Sequence, residues 1–162
     1  MAITPKEKEL AAVGISVATG CKPCTDYHIK AVRKARVSEK EIKQAVADAL
    51  EVRKRATEIM GAYAQAHLGE KTEISNGGRA DEITRVMELV SVGAAFSVNC
   101  VTTLERHLAA AKAVGISQEE IATIVQLATF IRGKAASHVE HMVGVVEEKE
   151  VASYGTTAGA CS

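Results

Sequence analysis

Cys21-Lys22-Pro23-Cys24-Thr25-Asp26-Tyr27-His28 is a C-x-x-C-x-x-x-H run. Two cysteines at this spacing can close a disulfide or share a metal ion. A histidine four residues after the second cysteine lies one helical turn further along the same face, where it can act as a base toward that sulfur. Pro23 suits the first position of a helix, which places Cys24 in the first turn beside unpaired backbone N–H groups. The positive end of the helix dipole favours a thiolate there. Cys21, just ahead of the helix, is expected to be the more mobile sulfur and to close onto Cys24. Redox chemistry is the leading expectation and zinc its rival. A structural zinc site needs four ligands; Cys21, Cys24 and His28 supply three, with Cys100, His107 or His67 as candidates for a fourth.

The elements that must position these groups read as helices. Thr4-Pro5-Lys6-Glu7 is a capping box with proline at the first helical position. The helix after it is almost wholly apolar from Leu10 to Ala18 and is expected to be buried. Gly20 ends it, and a second helix runs from about Pro23 to Arg36. Ser38-Glu39-Lys40-Glu41 caps a third, with Ile42, Ala45, Val46, Ala49 and Leu50 at helical spacing, reaching about Leu68 with or without a break. No β pattern is visible.

The chain is written twice. Sliding it by 79 positions, Cys21 onto Cys100, also lays Glu9 on Glu88, Gly14 on Gly93, His28 on His107 and Ser38-x-x-Glu41 on Ser117-x-x-Glu120. Asn99 takes the place of Gly20, and both residues tolerate a left-handed helix end. The organisation expected is an all-α helical bundle of two tandem homologous halves. Residues 1–68 form a first repeat with the CxxC site, 69–78 a linker, 79–147 a second, degenerate repeat and 148–162 a tail. The second repeat has Thr103 where Cys24 would be, so Glu88, Cys100 and His107 read as a decayed site kept for packing, the alternative being that Cys100 or His107 contributes to a pocket shared with the CxxC.

A tight turn at Gly20 folds the first two helices into an antiparallel hairpin. Glu9 and His28 then stand at similar heights, roughly 12–17 Å from the turn at the helical rise per residue. Glu9 is thereby expected to face His28, directly or through a water. Thiol, imidazole and carboxylate would form a proton relay, a role that suits Glu9 better than a zinc site does.

A glutamate twelve positions before C-x-x-C-x-x-x-H, in a duplicated all-α chain, resembles the alkyl hydroperoxidase D / carboxymuconolactone decarboxylase superfamily over about residues 4–145. The resemblance implies a thiol-dependent peroxidase in which Cys24 attacks the peroxide and Cys21 resolves it as a disulfide. His28 would be the base and Glu9 the relay carboxylate. It further implies a small organic hydroperoxide as substrate, a dithiol reductant such as a lipoyl-bearing protein, no bound cofactor, and a homo-oligomer, trimer or hexamer. In alkyl hydroperoxidase D itself the motif lies in the second half and a second histidine precedes the attacking cysteine. Here the motif is in the first half and that position is Pro23. The alternatives are a carboxymuconolactone decarboxylase-like enzyme acting on a carboxylated lactone, and a zinc-stapled, non-enzymatic oligomeric bundle.

Composition narrows the field further. The chain has 162 residues, is 47% hydrophobic and only 3% aromatic, lacks tryptophan and carries zero formal net charge. Without a basic stretch or stacking aromatics, nucleic acid is not an expected partner. The longest nearly uncharged apolar stretch, Leu10–Thr19, is shorter than the ~20 residues of a membrane span. No secretory pattern is seen at the start, and a cytoplasmic location is expected. His138 and His141, three apart, read as solvated surface, His67 as a helix C-terminal dipole partner and Cys161 as an idle thiol. Helical phase does not settle which way Tyr27 faces.

Overall fold

The computed structural model describes residues 2–74 and 83–144. Among these residues it forms six α-helices and no strand: α1 (Pro5–Thr19), α2 (Lys22–Lys34), α3 (Glu39–His67), α4 (Arg85–Ser97), α5 (Val101–Ala113) and α6 (Gln118–Met142). The all-α bundle of two similar halves is thus what the chain adopts. The Gly-Gly end of the expected linker, the tail from residue 148 and Cys161 lie outside the described residues.

The helix starts follow from the caps. Thr4, Ser38 and Ser117 each accept the backbone N–H of the glutamate three residues on, and that glutamate accepts the cap residue's own N–H, so all three capping boxes form. Thr84 caps α4 through the N–H of Met87. The stops follow from the residues that tolerate positive φ. Gly20 sits at φ 75°, Asn99 at 58° and Gly115 at 78°. Arg36, the repeat counterpart of Gly115, is held at φ 57°, so α2 ends at Lys34, ahead of the Arg36 expected. The third helix runs unbroken, since no proline or close-packed glycine interrupts Glu39–His67.

The centre of the molecule is the crossing of α1 and α4. Leu10 through Ser16 and Ala18 of α1 are buried, as are Glu88 through Ala95 and Ser97 of α4. α2 packs on α1, and α5 on α4, each within its own repeat. The third helix of each repeat instead spans both halves: α3 lies against α1 and α4, and α6 against α4 and α1. Two glycines at matching repeat positions set the crossing distance. A Cβ on Gly14 would stand 2.5 Å from Val90 Cγ1, and one on Gly93 would stand 2.7 Å from both Cδ1 and Cγ1 of Ile15. Each glycine therefore receives a β-branched side chain from the other repeat.

One ion cluster ties three helix starts together. Arg85, the first residue of α4, bonds Glu7 Oε1 at 2.7 Å through Nε, and both its terminal nitrogens reach Glu120. Glu7 and Glu120 are the capping-box glutamates of α1 and α6. The first repeat holds a simpler version, Lys6 Nζ to Glu41 Oε1 at 2.7 Å, at the equivalent positions. The side-chain bonds from Arg85, then the Ser117 backbone N–H, hold the Glu120 carboxyl down at about 2. Burial alone would raise Glu7, but the Thr4 backbone N–H and then Arg85 outweigh it and hold that carboxyl below the usual range.

Two outcomes follow for stability. Gly14→Ala destabilises the fold by about 1–3 kcal/mol despite alanine's better helix propensity, because Val90 has no room to retreat. The double variant Gly14→Ala/Val90→Ala recovers part of that loss, and a chemical-denaturation double-mutant cycle reads the coupling. Because Glu7 and Glu120 are depressed in the folded chain, their contribution is full above the ordinary carboxylate range and fades as pH falls toward about 2. Arg85→Met therefore moves the acid-unfolding midpoint upward, as circular dichroism against pH would show, while a midpoint unchanged from the parent chain would refute the assignment.

Candidate functional site

The turn between α1 and α2 builds the first site. Gly20 N–H bonds Val17 O and Cys21 N–H bonds Ser16 O, which reverses the chain. Cys21 is then the N-cap of α2: its Sγ accepts the Cys24 N–H at 3.2 Å, and its carbonyl accepts both the N–H and the hydroxyl of Thr25 at 2.9 Å. Cys21, placed by sequence just ahead of the helix, is thus its N-cap residue. Helix α2 also begins one residue earlier than expected, at Lys22, so Pro23 is its second residue. That position likewise has no need of a backbone N–H. The two Cα atoms are 5.3 Å apart and the sulfurs are joined as a disulfide. Both cysteines are buried.

Glu9 and His28 meet across the hairpin as expected, and directly: His28 Nδ1 lies 3.1 Å from Glu9 Oε2. The imidazole is nearly enclosed, with 8% of its side chain exposed, while Glu9 keeps 30%. Such a carboxylate orients the ring and favours the tautomer with its proton on Nδ1. Tyr27 stands edge-on to His28, with ring centroids 5.0 Å apart.

The roof of this site comes from the other repeat. Leu127, Ala128 and Ile131 of α6 pack with Ala12, Ile15 and both cysteines in one apolar cluster, flanked by Phe96 and Phe130. Further along the same face, His138 brings its ring to the sulfurs, and a ligand-capable nitrogen of that ring and both Sγ atoms all lie within 4.8 Å of one another. His138 Nε2 is buried and has no hydrogen-bond partner among the described residues. Reading His138 as solvated surface was thus wrong, whereas His141 is exposed. A signal was available: the stripe Leu127, Ile131, Ala135 continued by helical spacing lands on His138. Comparison of the repeats hid it, because the counterpart position is Ile59. A second imidazole beside the sulfurs is present after all, supplied from α6 and not from position 23.

The second repeat keeps the dyad and changes everything over it. His107 Nδ1 lies 2.8 Å from Glu88 Oε2, with side-chain exposures of 16% and 2%. Cys100 Sγ meets Thr103 Oγ1 at 3.0 Å where the first repeat has its disulfide. α3 covers this site as α6 covers the first, but it brings Asp48 and Glu51 where α6 has Leu127 and Phe130. A cavity of about 230 Å³ opens there, with Glu88, Thr103, His107 and Arg55 on its wall. Cys100 and His107 therefore belong to their own site and not to the CxxC. His67, exposed at the end of α3, pairs with the Tyr63 ring. The four-ligand zinc sets considered from sequence are not brought together.

Among the described residues no helix is long and apolar enough to cross a membrane. No curated protein and no solved structure gives a significant match to the chain. A family model does, twice in succession, over residues 2–72 and 61–148. The double match runs through both sites and repeats the internal duplication, and the chain belongs to the carboxymuconolactone decarboxylase family.

Proposed function

We propose that the chain is a thiol-dependent peroxidase working through the Cys21–Cys24 disulfide, with His28 and Glu9 managing protons. The observation that carries the reading is a redox-capable CxxC pair on the same helix as an imidazole held by a carboxylate. His28 takes the proton of the Cys24 thiol. The thiolate attacks the outer oxygen of a hydroperoxide, an S–O bond forms, the O–O bond breaks, and the alcohol leaves with the proton returned by His28. The sulfur of Cys21 then attacks the Cys24 sulfenic acid, forming the S–S bond and releasing water. An external dithiol restores both thiols by exchange and leaves as its own disulfide. The apolar roof of Leu127, Ile131 and Phe130 suits an organic hydroperoxide better than a small polar one.

Turnover of an organic hydroperoxide with a dithiol reductant should fall by at least ~10²-fold in Cys24→Ser. Cys21→Ser should still consume one equivalent and stop at a sulfenic acid that a dimedone-type reagent traps. Glu9→Gln should lower the rate by roughly tenfold or more with the disulfide still formed. Full turnover by Cys24→Ser would end this reading.

The cavity at Glu88 and His107 favours a second reading, non-redox proton transfer on a carboxylated lactone. In that case a chain with both Cys21 and Cys24 replaced by serine turns the lactone over unchanged, and His107→Gln, which keeps a donor for Glu88, does not, although its helix content by circular dichroism is that of the parent. Loss of lactone turnover in the serine variant would rule it out.

A further inference from the structure

Histidine nitrogens shut away from water normally have a partner, because desolvation without a hydrogen bond is unfavourable. His138 Nε2 has none among the described residues, and the two sulfurs are the ligand atoms grouped with its ring. We propose that, once the disulfide is reduced, Cys21, Cys24 and His138 bind a soft divalent cation such as zinc, and that disulfide formation expels it. C-x-x-C at a helix start is a recurrent zinc-binding spacing. Around a tetrahedral zinc with bonds of about 2.0–2.3 Å, the ligand atoms stand roughly 3.4–3.8 Å apart. The present group lies within 4.8 Å, so once the S–S bond opens the imidazole closes on the sulfurs by about 1 Å while the two sulfurs, bonded to each other in the disulfide, move apart to that spacing. Two thiolates neutralise the dication, which suits a site roofed by Leu127 and Ile131.

The ligand set differs from a structural zinc site in two ways. It has three protein ligands, which leaves one position open. It also draws the cysteines from the first repeat and the imidazole from the second, so the ion bridges the halves. His28 is committed to Glu9 through Nδ1, whereas His138 Nε2 has no partner among the described residues to give up. The chemistry balances without further groups. An external dithiol supplies two electrons and two protons to the disulfide and is itself oxidised to a disulfide. The cation displaces two thiol protons on binding. A two-electron oxidant then takes both electrons, the S–S bond re-forms and the ion leaves.

The inference shares with the proposed function only a Cys21–Cys24 bond that can be reduced, and it is tested without peroxide. The full chain is reduced with a phosphine, thiols are counted, and zinc is titrated against a chromophoric chelator, with cobalt as the absorbance probe. The reduced chain should bind one ion per chain and give a cobalt–thiolate charge-transfer band, and the disulfide form should bind none. His138→Ala and His138→Gln should each weaken binding by about tenfold or more, with helix content by circular dichroism unchanged. His141→Ala, at an exposed position on the same helix, should bind as the parent does. Diamide should release the bound ion stoichiometrically as the disulfide re-forms. No binding by the fully reduced chain, or equal binding by both His138 variants, would overturn the inference. A chain that consumes hydroperoxide yet fails this titration loses only the metal site; one that binds zinc yet spares hydroperoxide loses only the peroxidase.

Discussion

The contact between α1 and α4 governs where everything else can go. At Gly14 and Gly93 the two helices approach closely enough that Val90 and Ile15 occupy the space a Cβ would fill. A Cβ at either position would have to displace those side chains or push the two helices apart. Near contact lets each third helix touch both central helices at once, which is how α6 comes to lie over the α1–α2 hairpin and α3 over the α4–α5 hairpin. Each site is therefore built by one repeat and covered by the other. The duplication does not yield two independent halves; it yields one core in which each half completes its sibling.

That exchange explains how two sites with the same dyad diverged. In each hairpin a glutamate of the first helix meets a histidine of the second, at 3.1 Å in one repeat and 2.8 Å in the other. What differs is the cover. Leu127, Phe130 and Ile131 seal the disulfide under apolar surface, and Asp48 and Glu51 leave a cavity over Glu88 and His107. A few substitutions on α3 and α6 suffice for this, because those residues are outside the hairpins and can change without disturbing the pairing beneath. The geometry thus separates the proton-handling pair, fixed by the hairpin, from the environment, fixed by the opposite repeat.

Features set by local chain chemistry were readable in the sequence. The three capping boxes, the left-handed ends at Gly20 and Asn99, and the height match of Glu9 with His28 each depend on residues close in the chain or on one short turn. What escaped depends on the packing of one repeat over the other. His138 lies 114 positions after Cys24 in the chain (138 − 24), and nothing in the hairpin announces which helix will roof it. The N-cap role of Cys21 escaped for a different reason. A cysteine at a helix N-cap is unusual, since serine, threonine and aspartate dominate there, so its sulfur was not expected to accept the Cys24 N–H.

The repeated Glu–His pair also changes how Glu9 should be weighed. The repeat lays Glu9 on Glu88, and a carboxylate kept in both halves invites a catalytic reading. In the structure Glu88 is almost wholly buried, and a buried carboxylate without a partner is strongly unfavourable. His107 must therefore be kept for folding whether or not it does chemistry, and the repetition alone says nothing about catalysis. Glu9 is under a weaker constraint. With nearly a third of its side chain in solvent it would tolerate the loss of His28, since water can take over as its partner. The direct bond between Glu9 and His28 is thus the less obligatory of the two for the fold. It is also the one that stands beside a redox-capable pair of sulfurs, and this combination ties the functional argument to the first repeat.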